Sequence, residues 1–246
     1  MPKVSVIICT QNRVKALKEA IETVFSSPFN DYELIVIEGQ SHDATHEMLL
    51  KLYTEKLIRY TYNEGNRIDA RNRGWEMAKG EYVCFLDDDD TQALNRLEIQ
   101  SKYLDENPDI DIVSCTTMLN SQYGLASTIN NLNTTNIKNL LKTNNIFEVI
   151  NFQSCMFRKL SIDKYLKNRK PFLTEAISGG EGDVLLYEIL FNTRKKISNI
   201  NSTIYFYNVG VAENSLTKNT IPKWYNENIN DKSYKEKREF IKKLRG

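Results

Sequence analysis

Apolar residues along this chain alternate between two rhythms. Val4-Ser5-Val6-Ile7-Ile8-Cys9 is a β-branched run, and behind the polar turn Thr10-Gln11-Asn12-Arg13 the residues Leu17, Ala20, Ile21 and Val24 recur at helical spacing. Leu34-Ile35-Val36-Ile37 predicts a second strand, Glu38 to Asp43 a polar turn, and Ala44, Met48 and Leu52 the inner face of a second helix. Leu57 to Tyr62 predicts a short third strand. Residues 66–79 predict a helix with Ala70, Gly74, Met77 and Ala78 on one side, closed by Lys79-Gly80. A buried strand follows at Val83 to Leu86, then a helix carrying Leu94, Leu97 and Leu104, a stop at Asn107-Pro108, and a strand from Ile110 to Cys115. Strands alternating with helices at this spacing predict an α/β fold: a doubly wound, mainly parallel, Rossmann-like sheet with helices on both faces. The polar turn after each strand would then face one shared crevice.

Beyond residue 115 the rhythm fades. Residues 118–148 are rich in Asn, Thr and Ser and read as loops with a short helix, a smaller region attached to the main sheet. Phe152 to Phe157 and Ile204 to Tyr207 read as further strands, separated by a helix carrying Val184, Leu185, Leu186, Ile189 and Leu190. From Lys218 to the end, nine Lys or Arg stand against four Asp or Glu, interleaved with Trp224, Tyr225, Ile229, Tyr234, Phe240, Ile241 and Leu244. That segment reads either as a solvated helix or as a stretch that touches an anionic membrane surface.

Charge narrows the partners. With 33 basic and 32 acidic residues the net charge is +1, which offers no general attraction for nucleic acid, and none is expected as a partner. Cys9, Cys84, Cys115 and Cys155 each sit inside an apolar run and form no CxxC pair, so they read as reduced core thiols of an intracellular protein. No apolar leader precedes the first strand and no window is apolar enough to span a bilayer, so the chain is expected in the cytoplasm, with any membrane contact peripheral and through 218–246.

The chemistry gathers at Asp87-Asp88-Asp89-Asp90, four carboxylates at the C-terminal end of the strand Val83 to Leu86. One Asp would serve as a helix cap. Four in a row repel one another and call for a partner, for which a divalent cation is the natural choice. Asn12, Glu38 and Arg71 belong to the neighbouring turns, and a fixed guanidinium beside a bound cation suits phosphate oxygens, so a nucleoside diphosphate is the expected ligand. No GxxxxGK[ST] or GxGxxG occurs.

These residues also carry a resemblance. Val4-Ser5-Val6-Ile7-Ile8 with Asn12-Arg13, then Gly65, Ala70-Arg71-Asn72-Arg73-Gly74, Ala78-Lys79-Gly80-Glu81 and Phe85-Leu86-Asp87-Asp88-Asp89-Asp90 resemble, in order, a family-2 glycosyltransferase of the GT-A fold. The resemblance implies a nucleotide-sugar donor, Mn²⁺ or Mg²⁺, and inversion at the anomeric carbon. It implies Arg71 on the diphosphate, Asp87 and Asp88 near the ribose and sugar, Asp89 with Asp87 on the metal, and Thr10, Gln11, Asn12, Arg13 and Glu38 around the nucleotide. Ser154-Cys155-Met156-Phe157-Arg158-Lys159 is similar to the strand before the acceptor region, and Gly180-Glu181-Gly182-Asp183 to the Glu-Asp motif whose Asp is the base. An inverting transfer needs such a base, with Asp183 the first candidate and Glu181 the reserve. Residues 1–110 are then the nucleotide-sugar-binding half, 111–215 the acceptor-binding and catalytic-base half of the same domain, and 216–246 the basic tail. The acceptor would be a glycan, a lipid-linked sugar or a polymer.

Three positions depart from the family pattern. Gln11 stands where Tyr is usual, Glu38-Gly39-Gln40 replaces an Asp-rich turn, and the late His is absent, His42 and His46 being the only histidines. His46 reads as a helix-surface residue. Glu38 can still accept from a uracil or guanine N–H, and a UDP-sugar is the favoured donor. Two other readings stay open: a sugar nucleotidyltransferase, which would be expected to carry a Gly-rich basic loop that Thr10 to Arg13 lacks, and a binding module without turnover.

Overall fold

The computed structural model describes residues 1–121, 124–127, 135, 137, 139, 150–172 and 181–208. The tail at 216–246 and most of 118–148 lie outside the described residues. Among the described residues nine strands form one sheet: β1 Val4–Thr10, β2 Tyr32–Glu38, β3 Arg59–Tyr62, β4 Tyr82–Phe85, β5 Thr91–Gln92, β6 Ile112–Ser121, β7 Gly124–Ser127, β8 Met156–Arg158 and β9 Ile197–Asn208. The helices are α1 Val14–Phe25, α2 Thr45–Thr54, α3 Arg67–Met77, α4 Arg96–Glu106, α5 Lys159–Leu166 and α6 Glu181–Asn192.

Strand order is β3-β2-β1-β4-β8-β6-β9-β5, with β7 on β6. The first four strands are mutually parallel, as the strand–helix rhythm predicts. β8 is antiparallel to both β4 and β6, and β6 is parallel to β9, so β6 and β9 point the same way as β1 to β4. The sheet is α/β and mixed, with β5, β7 and β8 running against the common direction of the other six strands.

The β-branched runs are buried on both faces, and their alternation divides the core. Ile7, Ile35, Ile37, Val83 and Phe85 face α3, α5 and α6 through Ile68, Trp75, Ile162 and Val184. Val6, Ile8, Leu34, Val36, Cys84 and Leu86 face α1, α2 and α4 through Leu17, Ile21, Val24, Leu49 and Leu97. Gly74 lets α3 lie close on β1, since a Cβ there would meet Ile7 Cγ2 at 2.5 Å. None of the four cysteines forms a disulfide among the described residues, and Cys84, Cys115 and Cys155 are buried. No helix among the described residues is long and apolar enough to cross a membrane.

Several expected elements differ. Helix α2 begins at Thr45, so its buried residues are Thr45 and Leu49, flanked by half-buried Met48 and Leu52, while Ala44 is exposed at the N-cap. Leu94 precedes α4 and is exposed, and Thr91–Gln92 form a short strand on β9. Part of the stretch expected as loops, Met118 to Ser127, pairs as a β6–β7 hairpin. Phe152–Ser154 is a 3₁₀ turn and not strand, because the Asn151 side chain accepts from the Gln153 N–H at 2.9 Å and Ser154 Oγ donates back to the Asn151 carbonyl at 2.7 Å.

Candidate active site

The C-terminal ends of β2, β1 and β4 lie side by side, which gathers Glu38, Thr10 to Arg13 and Asp87 to Asp90 at one edge of the sheet. Two loops are stitched together beneath it. Asn12 adopts the left-handed region (φ 55°), its Oδ1 accepts from the His42 N–H at 2.6 Å, and its own N–H donates to Ser41 Oγ at 3.1 Å. Gln11 Nε2 donates to the Gln40 carbonyl at 2.8 Å, and Asp43 Oδ2 receives the Val14 N–H that opens α1 at 3.1 Å. The side chains of Gln11 and Asn12 thus join the β1 and β2 turns to each other.

Each of the four carboxylates has its own partners. Arg13 Nη1 donates to Asp88 Oδ1 at 2.7 Å and to Asp89 Oδ2 at 2.9 Å. Arg71, 4 % exposed, reaches from α3 over the Phe85 and Phe152 rings and donates to Asp87 Oδ1 at 2.9 Å. Gln153 Nε2 takes the other oxygen of Asp87 at 2.8 Å. Asp90 accepts from Tyr205 Oη at 2.7 Å and from the Asn208 N–H at 2.9 Å, and Asn208 Nδ2 also donates to the Asp89 carbonyl. Arg13 and Arg71, read from sequence as donor contacts, therefore serve as counter-ions to the acids here.

Burial and crowding raise the protonation range of Asp88, Asp89 and Asp90. Burial and the charges of Asp87 and Asp88 push Asp89 up to about 7, against the pull of Arg13. Burial also raises Asp88, with Arg13 and Thr10 holding it down in part, and raises Asp90 further with help from Asp87 and Asp89. Asp183 is buried in the first turn of α6. The Tyr207 phenol is raised first by burial and then by Asp90, Asp87, Asp89 and Asp183, so one ring on β9 lies within electrostatic reach of both the acid cluster and Asp183. The Glu181 side chain lies outside the described residues.

Glu38 is almost fully buried. Its Oε2 accepts from Tyr60 Oη of β3 and from His46 Nδ1 of α2 at 3.0 Å, and its Oε1 is buried without a hydrogen-bond partner among the described residues. His46, expected to be only a surface residue, is exposed over much of its ring yet ties α2 to Glu38.

Sequence reasoning passed over three further residues. Gln153 and Tyr205 arrive from elements that no local signal links to the acids. Arg96 is fully buried: Nη2 donates to the Gln153 carbonyl at 2.7 Å, Nη1 to the Phe85 carbonyl at 3.3 Å and Gln92 Oε1 at 3.1 Å, and Nε to Gln100 Oε1 at 3.0 Å. Its guanidinium lies over the Tyr205 ring at 4.8 Å, and among the described residues no carboxylate is bonded to it. Arg96 thus fixes the backbone just ahead of Asp87 and the turn that presents Gln153.

Carboxylate oxygens at a strand end are hard ligands suited to Mg²⁺ or Mn²⁺. Among the described residues no group of three or more His, Cys, Asp or Glu is arranged to hold a metal alone.

A poly(ribitol-phosphate) β-N-acetylglucosaminyltransferase, TarP, of Staphylococcus aureus is 39 % identical over 113 residues, covering 44 % of this chain and 34 % of that protein. The matched stretch spans less than half the length of the curated relatives. The structure of S. aureus TarS 1–349 in complex with UDP-GlcNAc aligns with TM-score 0.71 at 19 % identity, over 89 % of this chain and 61 % of that one. The mannosyltransferase PcManGT from Pyrobaculum calidifontis, in complex with GDP-Man and Mn²⁺, aligns with TM-score 0.59 at 18 % identity, over 87 % of this chain and 58 % of that one. Both likenesses establish a shared fold, the GT-A arrangement expected from the motifs. Residues 5–166, well over half of the sequence, match Glycosyl transferase family 2, and the chain belongs to that family.

Proposed function

We propose that this protein transfers a sugar from a nucleoside-diphosphate donor, UDP-sugar favoured, to a hydroxyl of a glycan, lipid-linked or polymer acceptor, with inversion. The observation that carries the reading is the convergence of Arg71 and Asp87 to Asp89 at the strand ends, with Asp183 close enough to share the field felt by Tyr207. The relatives' UDP-GlcNAc and GDP-Man complexes support a nucleotide sugar as ligand, and the Mn²⁺ in one of them supports a divalent cation.

In this reading Arg71 exchanges Asp87 for the diphosphate, and Glu38 Oε1 accepts from the base. Asp89 and Asp87 would hold Mn²⁺ or Mg²⁺, whose chemistry is to neutralise the departing diphosphate. Asp183 accepts the proton of the acceptor hydroxyl as its oxygen forms the new bond to the anomeric carbon opposite the breaking bond to the diphosphate. The test is a thermal-shift and calorimetric screen of UDP, GDP, CDP and ADP with and without Mn²⁺. Metal-dependent stabilisation by UDP is expected. No stabilisation by any of them would overturn the reading.

A further inference from the structure

Asn72 follows Arg71 on α3 and is buried. Its side chain makes a reciprocal pair of bonds to one backbone residue a hundred positions away: Nδ2 donates to the Phe172 carbonyl at 2.8 Å, and Oδ1 accepts the Phe172 N–H at 2.9 Å. An amide that satisfies both groups of a single residue fixes that residue's position and orientation together. The Phe172 ring then packs edge-on against Phe85 at 5.4 Å and Phe152 at 5.7 Å, in the cluster over which the Arg71 guanidinium lies.

Phe152 carries the connection onward. Gly182, in the first turn of α6 and directly before Asp183, sits so close that a Cβ there would meet the Phe152 ring at 2.2 Å. Gln153, next to Phe152, donates to Asp87. Arg71 lies over one aromatic cluster, Phe85, Phe152 and Phe172, against which Gly182, the residue before Asp183, is packed and whose far side Asn72 locks in place. Packed rings transmit displacement because the interior is dense and has no slack to absorb it.

We propose that Asn72 is a positioning residue for the transfer: through Phe172 and the Phe152–Gly182 contact it sets where the Asp183 carboxylate stands relative to a diphosphate bound at Arg71. This rests on the roles proposed above for Arg71 and Asp183. A displacement of about 1 Å of a reacting group can cost about 10²-fold in rate, so the clamp acts on turnover while lying outside the nucleotide contacts.

The experiment is hydrogen exchange by mass spectrometry on the full chain, with and without UDP and Mn²⁺, for the parent, Asn72→Ala and Gly182→Ala, with UDP affinity measured alongside. In the parent, UDP with Mn²⁺ slows exchange both at residues 85–92 and in α6. Asn72→Ala keeps UDP affinity and the slowing at 85–92 but loses the slowing in α6. A purely structural role would lower stability in every state and leave the ligand-dependent slowing of α6 intact, and that result overturns the proposal. Should Asn72→Ala not fold, Gly182→Ala is expected to show the same selective loss, and intact slowing there overturns it equally. If UDP slows 85–92 in the parent but never α6, the coupling fails while the nucleotide site stands. If UDP with Mn²⁺ changes neither region, the nucleotide site itself is refuted and the proposal falls with it.

Discussion

Replacing Asp89 by Asn should make the metal-free protein more stable at neutral pH while removing its response to metal. Asp89 is mostly buried between Asp87, Asp88 and Arg13, and its protonation range moves from 3.8 to about 7. The folded state therefore holds the proton more tightly than the unfolded chain does. Between those two values the folded state carries more protons, so stability is full below about pH 4 and falls as pH rises toward 7. A shift of about 3 units at about 1.36 kcal/mol each sets a ceiling of about 4 kcal/mol lost by pH 8. Asn cannot ionise, keeps an oxygen for Arg13, and avoids that loss. At about 2–4 °C per kcal/mol for a chain of this size, Asp89→Asn should melt about 5–15 °C above the parent at pH 8 in EDTA, and close to it at pH 5. The assay is differential scanning calorimetry across pH 5–8, repeated with Mn²⁺ and UDP. The ligands should restore the parent and leave the variant unmoved. Equal melting of parent and variant at pH 8, or a variant that melts lower, would show that the acids are not in electrostatic conflict and refute the reasoning.

Three further outcomes are expected. Asp183→Asn should keep UDP affinity and lower transfer to an identified acceptor by about 10²- to 10⁴-fold, with Glu181→Gln milder; the reverse order in the transfer assay moves the role of base to Glu181. Glu38→Ala should weaken UDP by about 10- to 100-fold while changing inorganic pyrophosphate little, because only the nucleotide carries an N–H for the buried Oε1; calorimetry showing equal losses would remove Glu38 from the base pocket. Arg96→Met should destabilise by about 3 kcal/mol or more, since it takes a charged donor from the Phe85 and Gln153 carbonyls and from the Oε1 atoms of Gln92 and Gln100; urea unfolding that shows a loss under about 1 kcal/mol would contradict the assigned network.

The first half of the fold was legible because its signals are local. The runs Val4 to Cys9 and Leu34 to Ile37 are apolar at every position but Ser5, and a strand covered on both sides leaves that trace in any short window. The acid cluster was legible for the same reason, as four Asp ending an apolar run. The partners of that cluster were not. Gln153 meets Asp87 only because a three-residue strand reverses direction between β4 and β6, and pairing across such sequence distance has no local pattern. Arg96 sits in a helix whose leucines mark an inner face, and a charged residue beside them reads as solvated, whereas here it fills the core with carbonyls as partners. His46 reads as surface because most of its ring is, although one nitrogen faces Glu38.

The reversed strand β8 also governs when the molecule can become complete during its synthesis. β4 leaves the ribosome long before residues 156–158, which supply its second hydrogen-bonded neighbour. At about 5–20 residues per second, the stretch from β4 to β8 takes on the order of 4–15 s to be made. For that interval Tyr82 to Cys84 form an open apolar edge, the kind that recruits strands from other chains. Shortening the wait, by faster codons between β4 and β8 or by a chaperone that covers the edge, should raise the yield of soluble protein without altering one contact of the finished fold.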